Sequence, residues 1–189
     1  PARGRLYRAI YDDTDRLLNT TENLLVATRL ETGRDSFKMR PERVDGVLRA
    51  AVAQLGRQAS EHKLSVVVKD PALTAVMDPE LIRRVLINIM NNAIQYTPAG
   101  SAIELRAEQK GGTVQISVSD DGPGIPDEAK KHLFDLFFTA GPGGADCQRG
   151  LGLGLNLCKS IVELHGGGIS VLDRTPRGTT FRFTLPAAR

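Results

Sequence analysis

Apolar positions along the chain fall into two regimes. Over the first 34 residues, Leu6, Ile10, Asp13, Leu17, Thr20, Leu24 and Ala27 recur at alternating steps of four and three, with Leu18 and Leu25 beside the stripe. That spacing predicts a long helix whose seam faces another helix, and Glu31-Thr32-Gly33 supplies a glycine stop. One helix cannot bury its own stripe, so it needs a partner helix, a second copy of itself, or the surface of the domain that follows. Asp13 and Thr20 on the stripe speak against a strict coiled coil.

From Ser36 onward the pattern is mixed. Phe37-Lys38-Met39 reads as a short strand, and Pro41-Glu42 as the opening of a helix through Val44, Leu48, Ala51, Val52 and Leu55. Leu64–Lys69 and Thr74–Met77 read as strands. Asp78-Pro79-Glu80 is a helix start, with Asp78 as N-cap and Pro79 in the first turn. That helix turns Leu81, Val85, Leu86, Ile89 and Ala93 inward and stops near Thr97-Pro98-Ala99-Gly100. Ile103–Gln109 and Thr113–Ser119 alternate around two glycines, a hairpin signal. A helix over Asp127–Leu136, a glycine-rich loop over Gly141–Gly150, a helix over Leu151–Leu164 and strands Gly168–Leu172 and Thr179–Leu185 complete the chain. Interspersed helices and hairpins predict an α+β two-layer sandwich, a mixed sheet with helices on one face.

Composition narrows the function classes. The apolar set is 41% of 189 residues before 19 glycines are counted, which excludes intrinsic disorder and supports one ordinary domain with an extra element. No apolar run approaches the ~18 residues that cross a bilayer, so no membrane contact is expected of this chain. A net charge of +3 and nine aromatics without Trp argue against a nucleic-acid partner. Cys147 and Cys158 match neither a metal spacing nor a disulfide framework, which suits a reducing, cytosolic setting. The chain opens on Pro1 without a signal peptide and reads as a piece of a longer protein.

Three polar clusters sit at element ends. Asn88 and Asn92 stand four apart on one face of the helix opened by Asp78, and asparagine is a mediocre helix former. Their carbonyl oxygens suit a hard cation such as Mg2+, which takes few protein ligands and completes its shell with phosphate and water; a plain alternative is hydrogen bonding to backbone or solvent. Ser119-Asp120-Asp121-Gly122-Pro123-Gly124-Ile125 ends a strand. This is the composition of an ordinary turn, or of a carboxylate that accepts an exocyclic amine while glycines let the backbone approach a flat ring. Gly150-Leu151-Gly152-Leu153-Gly154-Leu155 runs into a helix, where free N–H groups and the helix dipole suit phosphate, although glycine-leucine alternation also serves tight packing. It is neither a Walker loop nor a dinucleotide fingerprint. In this order, a metal ligand, an amine acceptor and a phosphate cradle describe a purine nucleoside triphosphate site.

With these residues the chain resembles the catalytic, ATP-binding region of bacterial sensor histidine kinases, in the superfamily shared with gyrase, Hsp90 and MutL. Asn88 to Tyr96 resembles the N box, Asp120-Asp121-Gly122-Pro123-Gly124 the G1 box, Phe134-Asp135-Leu136-Phe137-Phe138 the F box, Gly150 to Gly154 the G2 box, and Gly178-Thr179-Thr180-Phe181 the closing segment. Residues 37–189 carry the match; residues 1–36 look like the second helix of the dimerisation domain, incomplete here. Phe137-Phe138-Thr139-Ala140, Ala145-Asp146 and the run from Arg149 to Gly167 look most like potassium-responsive, osmosensitive KdpD-type kinases.

The resemblance implies the Bergerat ATP-binding fold, with ATP and Mg2+ as ligands. Asn92 would bind the metal beside Asn88, and Asp120 would read the adenine amine. Gly122, Gly124 and Ile125 would shape the pocket, with Tyr96 and Thr179 nearby. Gly150, Leu151, Gly152, Leu153 and Gly154 would form the phosphate side. Residues 128 to 149 would be a lid packed down by Phe134 and Phe137, with Arg149 a candidate phosphate contact. It further implies a response regulator as partner, a homodimer through the dimerisation helices, and a cytosolic portion of a membrane-anchored sensor.

Two departures stand out. Gln95 replaces a usual basic residue, and no acceptor histidine in an acidic motif is present. His62, His132 and His165 read as surface or lid residues, so this chain alone is not expected to phosphorylate itself. The alternatives are an ATPase of the same superfamily, which needs a carboxylate base where this chain has Asn88, and a nucleotide-gated interaction module without kinase activity.

Overall fold

The computed structural model describes residues 37–138 and 152–188, together with Thr14, Thr21, Asn23, Leu25, Val26 and Thr28, which are helical. The stripe from Leu6 to Ala27, Leu18 and the Glu31-Thr32-Gly33 stop lie outside the described residues. Of the six early positions, Leu25 is 55% exposed while Val26 packs against the core. Arg84 Nη1 donates to Asn23 Oδ1 at 3.5 Å.

In chain order the elements are β1 (Arg40–Arg43), α1 (Val44–Leu55), a 3-10 turn (Gly56–Ala59), β2 (Lys63–Val68), β3 (Thr74–Met77), α2 (Pro79–Tyr96), β4 (Ala102–Lys110), β5 (Thr113–Asp120), α3 (Asp127–Lys130), α4 (Gly154–Leu164), β6 (Ile169–Asp173) and β7 (Thr179–Pro186). The main sheet runs β2-β4-β5-β7-β6, so β5 is its middle strand. Only β2 and β4 are parallel; the other pairs are antiparallel, giving the mixed sheet that the pattern predicts. Inward rows cross three strands, Leu105 with Val118 and Phe181, then Ala107 with Ile116 and Phe183. Outward positions are polar, as in the row Arg106, Ser117 and Arg182. Helices α1, α2 and α4 cover the apolar face, with α2 between the other two. This is the α+β two-layer architecture.

Helix α2 shows why local chemistry succeeds here. Asp78 Oδ1 accepts from the Glu80 and Leu81 amides at 3.0 and 3.3 Å, capping the first turn, and Pro79 needs no partner there. Leu81, Ile82, Val85, Leu86, Ile89, Met90 and Ala93 form one buried face. Thr97 is extended because Pro98 disfavours a helical residue before it, and the helix ends. The β4–β5 turn is Gly111-Gly112, with Lys110 opposite Thr113 and Gly111 at φ +59.

Four expectations are corrected. Phe37-Lys38-Met39 is not a strand; Arg40–Arg43 is, paired with Thr74–Met77, and Pro41 is accommodated in this two-stranded sheet. The next helix therefore opens at Val44 rather than Pro41, because Arg43 is still extended. Of Asp127–Leu136 only Asp127–Lys130 is helical; successive tight turns follow, with bonds from His132 N to Ala129 O and Asp135 N to His132 O. The helix expected from Leu151 begins at Gly154.

His165 is not a surface residue. It is 5% exposed at the C-terminus of α4. Its Nδ1 lies 2.7 Å from the Ile161 carbonyl, and its Nε2 accepts from the Asp78 amide at 3.1 Å. Donating from Nδ1 while accepting at Nε2 requires the neutral ring, and burial lowers the His165 pKa in agreement. Because the folded value lies below the unfolded one near 6.5, stability is complete above that pH and declines as the pH falls from there through the depressed value. Urea unfolding at pH 8 and pH 5 should show this loss. His165→Ala should narrow the difference while costing ~1–3 kcal/mol at pH 8, since the Asp78 amide loses its acceptor.

Candidate functional site

Asp120 is the last residue of the middle strand and only 6% exposed. Its Oδ1 accepts from the Gly122 amide at 2.9 Å and the Thr179 amide at 3.3 Å, so its own loop and the start of β7 both close on it. Among the described residues neither of these bonds uses Oδ2. Burial raises the Asp120 pKa; the bonds from Gly122 and Thr179, then the charge of Arg174, oppose this, and Asp121 adds to it. Asp121 has a different task, since its Oδ1 accepts the Ala102 amide at 3.0 Å and ties the loop to β4.

The glycines here are close-approach positions. A Cβ on Gly122 would stand 2.6 Å from Thr97 Cγ2 and 2.8 Å from Asp120 Oδ1. One on Gly178, whose φ is +117, would stand 2.0 Å from the Asp120 carbonyl oxygen. Gly124 faces the Gly178 carbonyl, and Ile125 is half-buried against the core. Thr97 contributes the wall behind Gly122; its hydroxyl donates to the Ala93 carbonyl at 2.7 Å and receives His62 Nε2 at 3.0 Å. Thr179 is buried beside Asp120, and Thr180 shares a 2.9 Å hydroxyl bond with Ser119.

Asn88 and Asn92 are half-buried on α2, one turn apart. Among the described residues the buried Asn88 Nδ2 has no hydrogen-bond partner, and a Cβ on Gly154 would lie 3.8 Å from its Cγ, so the first residue of α4 abuts this amide. Cys158, fully buried one turn later, places its Sγ 3.7 Å from the Val85 carbonyl. Burial pushes its thiol up to about 12, opposed by Asn88, so it stays protonated at neutral pH. Tyr96, at the end of α2, is 44% exposed. Among the described residues no three His, Cys, Asp or Glu gather as a metal cage. A divalent cation here would meet amide oxygens, and the carboxamides of Asn88 and Asn92 fit one that keeps water and phosphate in its shell.

The third cluster is anchored beside the second. A Cβ on Gly152, at φ +65, would stand 2.6 Å from the Phe137 carbonyl carbon, so the chain before and after residues 139–151 meets at this point. Phe134 packs edge-on against Phe181 at 6.5 Å, and its carbonyl accepts from Asn156 of α4 at 2.9 Å. Phe137 differs, being 65% exposed at φ +63. Lys130 ties α3 to β6 through Asp173 at 2.7 Å. Leu153 is half-buried just before α4, whereas Arg149, Gly150 and Leu151 lie outside the described residues.

A buried carboxylate at a strand end, an asparagine pair on a covering helix and a glycine turn leading into the next helix now share one edge of the sandwich. The sequence matches, over residues 77–189, the family described as histidine kinase-, DNA gyrase B- and HSP90-like ATPases. The chain belongs to this family. It is similar to the sensor protein KdpD of Clostridium acetobutylicum, with 38% identity over 97% of this chain and 20% of that protein. The chain spans about a fifth of the length of the curated relatives it matches first. Among solved structures, the catalytic domain of histidine kinase ThkA is similar at a TM-score of 0.71 and 29% identity, over 79% of this chain and 96% of that one. Full-length ShkA in complex with AMPPNP is similar at 0.79 and 28% identity, over all of this chain and 40% of that one.

Thr97 and Arg174 escaped the sequence reading. Thr97 was visible only as part of a helix stop, and Arg174 carries no local signal. Substitution should separate the close approaches by what stands in the way. Gly178→Ala meets backbone and is expected to cost more than Gly122→Ala, which meets the end of a threonine side chain. Overpacking of this kind is worth ~1–3 kcal/mol, and urea unfolding of both variants should rank Gly178→Ala as the less stable.

Proposed function

We propose that this chain is the ATP-binding catalytic module of a sensor histidine kinase. The observation that carries the reading is Asp120, a buried carboxylate whose Oδ1 takes two backbone amides, neither of which uses Oδ2. An exocyclic amine is the partner such an oxygen suits, and adenine has one. In this reading Gly122, Gly124, Ile125 and Thr97 line the base, and Thr179 holds Asp120 in place. Tyr96 stands at the rim. Asn92, with Asn88 beside it, directs amide oxygens to Mg2+, which when bound neutralises charge on the phosphates. Gly150 to Gly154 offer N–H groups on the phosphate side, with Arg149 as a phosphate contact, and Phe134 anchors the base of a lid.

Kinase chemistry is favoured over hydrolysis by one position. An ATPase needs a base to take a proton from water, and the Asn88 carboxamide cannot accept one. A neutral imidazole is already a nucleophile, so positioning and charge neutralisation suffice. Acceptance by a histidine elsewhere in a longer protein, onward transfer to a response-regulator aspartate, dimerisation through residues 1–36 and membrane-anchored potassium or osmotic sensing complete the proposal. The likeness to KdpD supports the last of these.

Calorimetric titration with a non-hydrolysable ATP analogue tests the site. Asp120→Asn sets an amide donor against the adenine amine and should cost ~1–3 kcal/mol, about tenfold to a hundredfold in Kd. Asn92→Ala should abolish the Mg2+-dependent part of binding while leaving adenosine affinity unchanged. Equal affinity of both variants and the unaltered chain would refute the assignment.

A further inference from the structure

The turn from Arg174 to Gly178, between β6 and β7, lies on the backbone of Asp120 and Asp121. The Arg174 amide donates to the Gly178 carbonyl at 3.1 Å and closes the turn. Gly178 approaches the Asp120 carbonyl too closely for any side chain, and the Arg177 Nε donates to the Asp121 carbonyl at 3.2 Å. Thr179, the next residue, donates its amide to Asp120 Oδ1. Arg174 is thus carried to the same edge, and its Nη1 is buried with no hydrogen-bond partner among the described residues. A buried guanidinium nitrogen left this way is unfavourable unless an anion nearby compensates it through space.

We propose that Arg174 is a positioning residue for the nucleotide base, acting through Asp120 as the counter-charge this buried carboxylate needs while it accepts the exocyclic amine of adenine. The inference rests on the adenine site proposed above and deepens it. Among the described residues, the charged and titratable groups around Asp120 are Arg174 and Arg177 from the turn, Asp121 from its own loop, and His62 behind Thr97. Arg177 donates to the Asp121 carbonyl, and His62 meets the Thr97 hydroxyl. Asp121 opposes ionisation of Asp120, and among the described residues Arg174 is the cation whose charge favours it. An Asp120 that took up a proton would lose acceptor capacity at the atom the amine must reach.

Two measurements on the whole chain test this. Carbon-13 NMR of the Asp120 carboxyl, without nucleotide, gives its titration midpoint in the unaltered chain, Arg174→Gln and Arg174→Lys. The midpoint should rise in Arg174→Gln and stay near the original in Arg174→Lys, which keeps the charge. ADP affinity by calorimetry over the same pH range should then fall more steeply with acidity in Arg174→Gln. The loss is about tenfold, at pH below both midpoints, for each unit that the midpoint rises. Comparing proteins on one ligand cancels the ligand's own titration. An unmoved midpoint in Arg174→Gln, or equal behaviour of the Gln and Lys variants, would overturn the counter-charge role. Failure of the adenine reading has a different signature: ADP binding unaffected by Asp120→Asn, even with a midpoint that responds to Arg174.

Discussion

A carboxylate buried at the end of the middle strand is the constraint to which this edge of the molecule is built. Left unpaired, an ionised group in that position is prohibitively costly, so its partners must come from wherever the chain can supply them. Here they are two backbone amides from segments 57 residues apart, Gly122 and Thr179. Bringing both to one oxygen forces the G1 loop and the β6–β7 turn against each other, which leaves room for a hydrogen atom but no methyl group at Gly122 and Gly178. Asp121 then pins the loop to β4, and Thr97 closes the wall from α2. The remaining acceptor capacity of Asp120 is what a bound base would use.

Helix α2 joins this carboxylate to the start of α4. Its apolar face is sunk between α1, α4 and the sheet, so its polar face cannot rotate without exposing that surface to water. The antiparallel pair α2 and α4 is secured at both ends. Asp78 caps α2, donates its amide to His165 at the end of α4 and accepts the Lys38 amide at 3.0 Å, linking the entry of the chain to the same point. At the other end Asn88 abuts Gly154 and Cys158. The asparagine face and the start of α4 are therefore one rigid unit.

Residues 127–138 are fastened in a different way. Phe134 is held by an aromatic contact and a single amide bond, Lys130 by surface carboxylates, and Phe137 stands exposed at a left-handed backbone angle. Surface ion pairs of this kind contribute little, ~0–1 kcal/mol, whereas Leu133 beside Phe134 is buried in the core.

Local signals determined much of this in the sequence alone. Asp78-Pro79 with its apolar periodicity placed α2, and two adjacent glycines placed the β4–β5 hairpin, while the residue types of the three clusters suggested a chemistry. Each rests on neighbours within a few positions, where capping, turn conformation and side-chain period operate. Tertiary structure decided what depends on distant partners. Arg40–Arg43 is extended because it pairs with Thr74–Met77, 34 residues later, and no local pattern around Pro41 carries that information. His165 is buried where it accepts the Asp78 amide, Gly178 is constrained by a carbonyl on another strand, and Arg174 is brought to Asp120 by the turn before β7. Burial and pairing are properties of the whole packed arrangement, so one segment holds only half of each such contact.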